Sequence, residues 1–140
     1  MKHIFIIILF TITANLSAQI NNQDWLTDYK EALKTSNTEK NPVLVFVTDN
    51  SSNEIISLLE SQFFNSEDFK KISSSFVLLK LNVSSNPYHK RLASHYSKSD
   101  VVPALVLIDK NGNTIDKALT QINSSTVSEF LSFLKTKTKY

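Results

Sequence analysis

The chain has 140 residues, of which 41% are hydrophobic and 20% charged. That is room for one packed domain and excludes a disordered or fibrous class. Lys and Arg number 15 against 13 Asp and Glu, a net charge of +2, too small a bias to argue for nucleic acid or an anionic membrane surface. Cysteine is absent, which rules out disulfides, thiolate nucleophiles and thiolate metal sites.

Met1 to Ala18 reads as a secretory signal peptide. Lys2 supplies the positive start, Ile4 to Phe10 with Ile12 the apolar core, and Asn15-Leu16-Ser17-Ala18 a cleavage site before Gln19. The apolar stretch falls well short of the ~20 residues that span a bilayer, and no cysteine follows it to carry a lipid. The expectation is an exported protein, periplasmic or extracellular, soluble after removal of residues 1–18 and without stable membrane insertion. The rest, 19–140, reads as a single domain with a core at about 24–134.

Residues 24 to 36 carry Trp25, Tyr29, Ala32 and Leu33 at helical spacing, with Asn21, Asn22 or Asp24 as caps. Pro42 ends any continuation, and Val43-Leu44-Val45-Phe46-Val47-Thr48 is the β-branched and aromatic run of a strand buried on both faces. After the polar turn Asp49 to Glu54, the residues Ile55, Leu58, Leu59, Gln62 and Phe63 predict a helix with one buried stripe, capped by Ser52 or Asn53. Ser66 opens a short helix carrying Phe69 and Ile72 inward, and Phe76 to Val83 is a second interior strand. Pro87 starts a helix with Leu92, Ala93 and Tyr96 inward. A third strand follows over Ala104 to Ile108. Lys110-Asn111-Gly112-Asn113 is a hairpin turn, with the only glycine where a positive φ is wanted, and Thr114 to Leu119 completes the hairpin as a fourth strand. Ser124 or Ser125 opens a last helix with the stripe Val127, Phe130, Leu131 and Leu134, followed by a solvated basic tail at Lys135, Lys137 and Lys139. Helices between interior strands imply right-handed parallel crossovers. The fold class is therefore α/β, with a mixed four-stranded sheet, a C-terminal antiparallel hairpin and helices on both faces.

An early Trp on an amphipathic helix, Asn41-Pro42-Val43-Leu44-Val45-Phe46 before a polar turn, and Phe64 closing the next helix together resemble the small secreted bacterial thioredoxin-like proteins. The resemblance covers roughly residues 24 to 134 and implies a three-layer α/β/α sandwich. In that family a Cys-x-x-Cys dithiol opens the helix after the turn. Those two positions fall on Asn53 and Ile56, so the redox motif is degenerate at both. The resemblance also implies a cis bond at Val102-Pro103, facing the turn and leaving the main-chain groups of Val102 able to pair with an extended peptide. The purely structural alternative is a proline kept for the bend that the sheet needs.

The candidate peptide-binding residues are Val102, Pro103, Ser51, Ser52 and Asn53, and the expected partner is an unfolded or extended polypeptide or an envelope protein. No enzyme activity, cofactor or metal is expected. His89 and His95 lie about 240° apart around a helix, not on one face. Trp25, Tyr29, Phe63, Phe64 and Phe69 read as packing aromatics, and Tyr88 and Tyr96 as partly exposed near Pro103. The alternative is a non-redox enzyme using Ser51, Ser52, Asp49 or Glu54, which requires a concave pocket at the turn and a shifted carboxylate pKa.

Overall fold

Three apolar runs form the sheet: β1 is Val43–Thr48, β2 is Val77–Asn82 and β3 is Ala104–Ile108. The structure is a computed structural model describing residues 25–138. The expected leader, its cleavage site, the caps Asn21, Asn22 and Asp24, and Lys139 lie outside the described residues. The strand order is β2-β1-β3. Strand β1 runs parallel to β2, from Val43↔Val77 to Thr48↔Asn82, and antiparallel to β3, from Val43↔Ile108 to Val47↔Ala104. The α-helices of the described residues are α1 (Tyr29–Glu39), α2 (Glu54–Leu59), α3 (Glu67–Ile72), α4 (Pro87–Ser97) and α5 (Ser124–Lys135).

Alternation along the strands sends Val43, Val45, Val47, Leu79 and Val106 to one face, against Ala32 of α1 and Ala93 and Tyr96 of α4. Leu44, Leu78, Leu105 and Leu107 meet Leu59, Phe69, Ile72 and the α5 residues Val127, Phe130, Leu131 and Leu134 on the other. This is the three-layer α/β/α sandwich expected. Caps set the helix starts locally. Ser66 Oγ accepts the N–H of Phe69 at 3.1 Å, and Asn123 forms a reciprocal capping box with Thr126. Lys135 pairs with Asp68 at 3.0 Å, so it is not simply part of a solvated tail.

Four expectations are corrected. The first helix begins at Tyr29, capped by Asp28, which accepts the N–H of Glu31 at 2.9 Å. Trp25 and Leu26 precede it in extended chain, because Leu26 pairs with the outer edge of β2. Its N–H donates to Leu78 O and its carbonyl accepts from Lys80, both at 2.8 Å. Second, the helix after the turn changes to a π-helical turn over Glu60–Phe64. Leu59 and Phe63 are buried as expected, but Ile55 is 43% exposed and Gln62 is exposed. Third, Thr114 to Leu119 makes only two isolated bridges to β3, Ile108↔Thr114 and Leu105↔Leu119. These are 3 residues apart on β3 (108 − 105) but 5 apart on the returning chain (119 − 114). The two extra residues bulge outward around Asp116, at φ 61. The sheet proper therefore has three strands. Fourth, Tyr96 is buried, as its inward place on α4 implies, and not partly exposed near Pro103; its hydroxyl hydrogen-bonds that of Tyr29. Burial, then the bond to Tyr29, pushes the Tyr96 phenol far above its ordinary pKa.

The hairpin turn forms as expected, with Gly112 at φ +80. Asp109 organises it, its Oδ1 accepting the N–H groups of Asn111 at 2.8 Å and Asn113 at 2.9 Å. Burial raises the Asp109 pKa, but the N–H groups of Asn113 and Asn111, the Asn113 amide and Lys110 outweigh that and hold it below the usual carboxylate value.

Candidate functional site

The polar turn after β1 uses most of its hydrogen-bonding capacity internally. Asn50, at φ 60, donates its N–H to Thr48 Oγ1 at 3.0 Å. Ser51 donates its N–H to Asp49 Oδ1 at 2.9 Å, and the Ser51 hydroxyl and this N–H hold the exposed Asp49 carboxyl below its ordinary pKa. Asn53, extended at φ −152, caps α2 by accepting the N–H of Ile56 at 3.0 Å. One of the two motif positions thus hydrogen-bonds the main chain of the other. A neutral amide oxygen occupies the place where a thiolate would accept N–H donors.

Pro103 immediately precedes β3, one step beyond the Val47↔Ala104 pair, so it and the 49–54 turn lie at the same end of the sheet. The Val102–Pro103 bond is cis. Pro103 is buried and Val102 half-buried, and the main chain of Val102 makes no hydrogen bond among the described residues. Among the described residues three large apolar side chains are exposed: Ile55 (43%), Tyr88 (39%) and Val101 (52%). Ile55, in the first turn of α2, and Val101, just before Pro103, belong to this end. Tyr88 opens α4, the helix after β2, but its ring packs edge-on to Tyr29, whose hydroxyl meets that of Tyr96 beside Gly112 at the other end of the sheet. Ser84 ties the segments after β1 and β2 together, donating its hydroxyl to Asp49 O at 3.2 Å. In α/β sheets this end, beyond the carboxyl ends of the parallel strands, is where ligands gather.

A cavity of about 460 Å³ opens beside the turn. Ser51, Ser52 and Ile56 reach it, together with Trp25, Phe46, Phe64 and Lys80, but Val102, Pro103, Asp49 and Glu54 do not. A concavity therefore exists beside the turn without either carboxylate in it. The Asp49 shift runs towards a permanently ionised group, unsuited to donating a proton near neutral pH. His89 is buried, its Nδ1 accepting the N–H of Asn82 at 3.1 Å, and His95 stacks edge-on to Tyr96. Among the described residues no three His, Asp or Glu side chains are grouped to hold a metal. Sequence reasoning placed Ile55 in a buried stripe and overlooked Val101 and the cavity. The lone cue to the cavity was Lys80 interrupting an otherwise apolar strand.

The thioredoxin-like family model matches residues 24–110. Solved structures with a similar fold include a DsbH oxidoreductase, at 21% identity and a TM-score of 0.60, over 79% of this chain and 83% of that one. A disulphide isomerase from Xylella fastidiosa Temecula1 is similar at 17% identity and 0.58, over 76% and 87%. The oxidised C-terminal domain of Neisseria meningitidis DsbD is similar at 13% identity and 0.59, over 81% and 98%. At these identities the likeness is one of fold. No curated protein sequence matches the chain. Because the family match takes in the whole sheet, the turn and the Val102–Pro103 loop, the chain belongs to the thioredoxin-like family, in a form without a single cysteine.

Proposed function

We propose that this is an exported thioredoxin-fold module that binds extended or unfolded polypeptide, or an envelope protein partner, without thiol-disulfide chemistry. The observation that carries the reading is that the exposed Ile55 and Val101 lie at the same end of the sheet as Val102, whose main chain makes no hydrogen bond among the described residues. An extended peptide laid there pairs with the Val102 main chain and covers the exposed apolar side chains. Ser51, Ser52 and Asn53, in the turn at the same end of the sheet, are the polar residues proposed to contact the peptide. Affinity built from main-chain pairing and apolar contact carries little sequence specificity, which suits a holding or scaffolding role. Export rests on the Met1–Ala18 pattern, and sequencing the envelope-located protein should find Gln19 first.

The test uses residues 19–140 and a reduced, carboxymethylated polypeptide, which is unfolded and has no reactive thiol. Saturable binding is expected for the wild type, weakened roughly tenfold or more in the Ile55→Asp/Val101→Asp variant. Both side chains are exposed, so the core is spared. Val102→Asp should weaken binding similarly. Absence of binding by the wild type, or equal binding by the variants, would end the proposal.

A further inference from the structure

We propose that the cavity over Phe46 and Lys80 binds a small carboxylate with an apolar or aromatic body. Strand β1 is buried at every position except Phe46. Its neighbour in register on β2 is Lys80, so both side chains face the same gap in the helical layer. The π-helical turn shapes this gap. It keeps Phe63 in the core while turning the adjacent Phe64 to the cavity wall, and such turns recur at functional sites. Trp25 enters from the extended segment beside β2. The three rings meet edge to face, with centroids 6.1 Å apart for Trp25–Phe46, 5.6 Å for Trp25–Phe64 and 5.0 Å for Phe46–Phe64.

At about 460 Å³ the cavity is the size of ordinary small-molecule sites, which combine apolar walls with few polar groups. Lys80 is half-buried, and the ion pairs of the described residues, Lys70–Glu67 and Lys135–Asp68, do not involve it. A half-buried cation against aromatic walls is complementary to a carboxylate on an apolar body. Glu60, the other charged residue of the lining, is exposed. Lys80 is thus the charge nearer the floor, and Glu60 at the mouth disfavours a second negative charge. Ser51 and Ser52, which line the cavity, are shared with the proposed polypeptide contact, but Val102 and Pro103 are not, so the carboxylate titration tests this assignment separately.

Trp25 is the only tryptophan, so its emission reports the cavity directly. The full chain would be titrated with phenylacetate, with phenethylamine (reversed charge), acetate (no ring) and N-acetylphenylalanine in parallel. The expected result is a saturable change with phenylacetate, at least roughly tenfold weaker with the amine or acetate and in Lys80→Met. The acid–amine comparison on the wild type keeps the test valid even if the variant folds poorly. No saturable response to phenylacetate, or an equal response to the amine, would overturn the assignment. A response to N-acetylphenylalanine as well would support the assignment, since it too is a carboxylate on an aromatic body.

Discussion

Replacing Asn53 and Ile56 together by cysteine should rebuild a dithiol that closes on oxidation. Asn53 is the cap of α2 and Ile56 is its third residue, joined by the 3.0 Å hydrogen bond from Ile56 N to Asn53 Oδ1. Positions three apart across a helix start have Cα atoms about 5–6 Å apart, inside the disulfide window. In the reduced variant, loss of the Asn cap costs about 1 kcal/mol. Shortening the half-buried Ile56 side chain beside the cavity costs about 1 kcal/mol more. The reduced protein should therefore be roughly 2 kcal/mol less stable than wild type by urea unfolding. Closing a four-residue loop offsets about 2 kcal/mol in the chain-entropy picture, so the oxidised form should unfold close to the wild type. Thiolate absorbance should show the first cysteine titrating below the free-thiol value of about 8.5, since it inherits the capped N–H groups. Two thiols that never bridge in an oxidising glutathione buffer, both titrating as free cysteines, would refute the assignment of the motif to 53 and 56.

Gly112→Ala places a Cβ 2.6 Å from the Tyr29 hydroxyl and 3.0 Å from that of Tyr96, at φ +80. The backbone term of about 1 kcal/mol and overpacking of about 1–2 kcal/mol should together lower stability by about 2–3 kcal/mol. Adding Tyr29→Phe should relieve only the steric part, and a loss below about 0.5 kcal/mol for the single variant would contradict the packing described. The Asp109 carboxyl has a lowered pKa in the folded protein, so the unfolded chain binds its proton first on acidification. Its contribution is present above the unfolded value near 4 and is lost as pH falls through the folded value. Melting temperatures across pH 5 to 2 should fall less steeply for Asp109→Asn than for wild type, and parallel curves would show that the turn carboxylate does not contribute.

The elements read correctly from sequence are those whose partners leave a local imprint. Continuous apolar runs mark β1, β2 and β3 because both faces of an interior strand are covered. Val127, Phe130, Leu131 and Leu134 mark the buried side of α5 because helical period and burial coincide there. Gly112 marks its turn through a backbone angle that other residues resist. The absence of disulfide chemistry is likewise settled by composition alone.

Local spacing says which side chains share a face, but not what meets that face or which competing pairing prevails. Trp25 and Tyr29 are four residues apart in either state. The edge of β2 drew Leu26 and its neighbour into extended chain, because two main-chain hydrogen bonds there outweigh another helical turn. Ile55 fits a buried stripe by period. Beyond Leu59, however, the π-helical turn aligns the chain to Phe63 and Phe64, and the helix start is left at the surface. The placing of Ile55 and Val101 at one end of the sheet, and the opening over Phe46 and Lys80, depend on strand register between segments more than 30 residues apart. The sequence alone determined the layers and excluded thiol chemistry. Tertiary packing decided which apolar groups remain uncovered, because exposure depends on what the rest of the chain places opposite them.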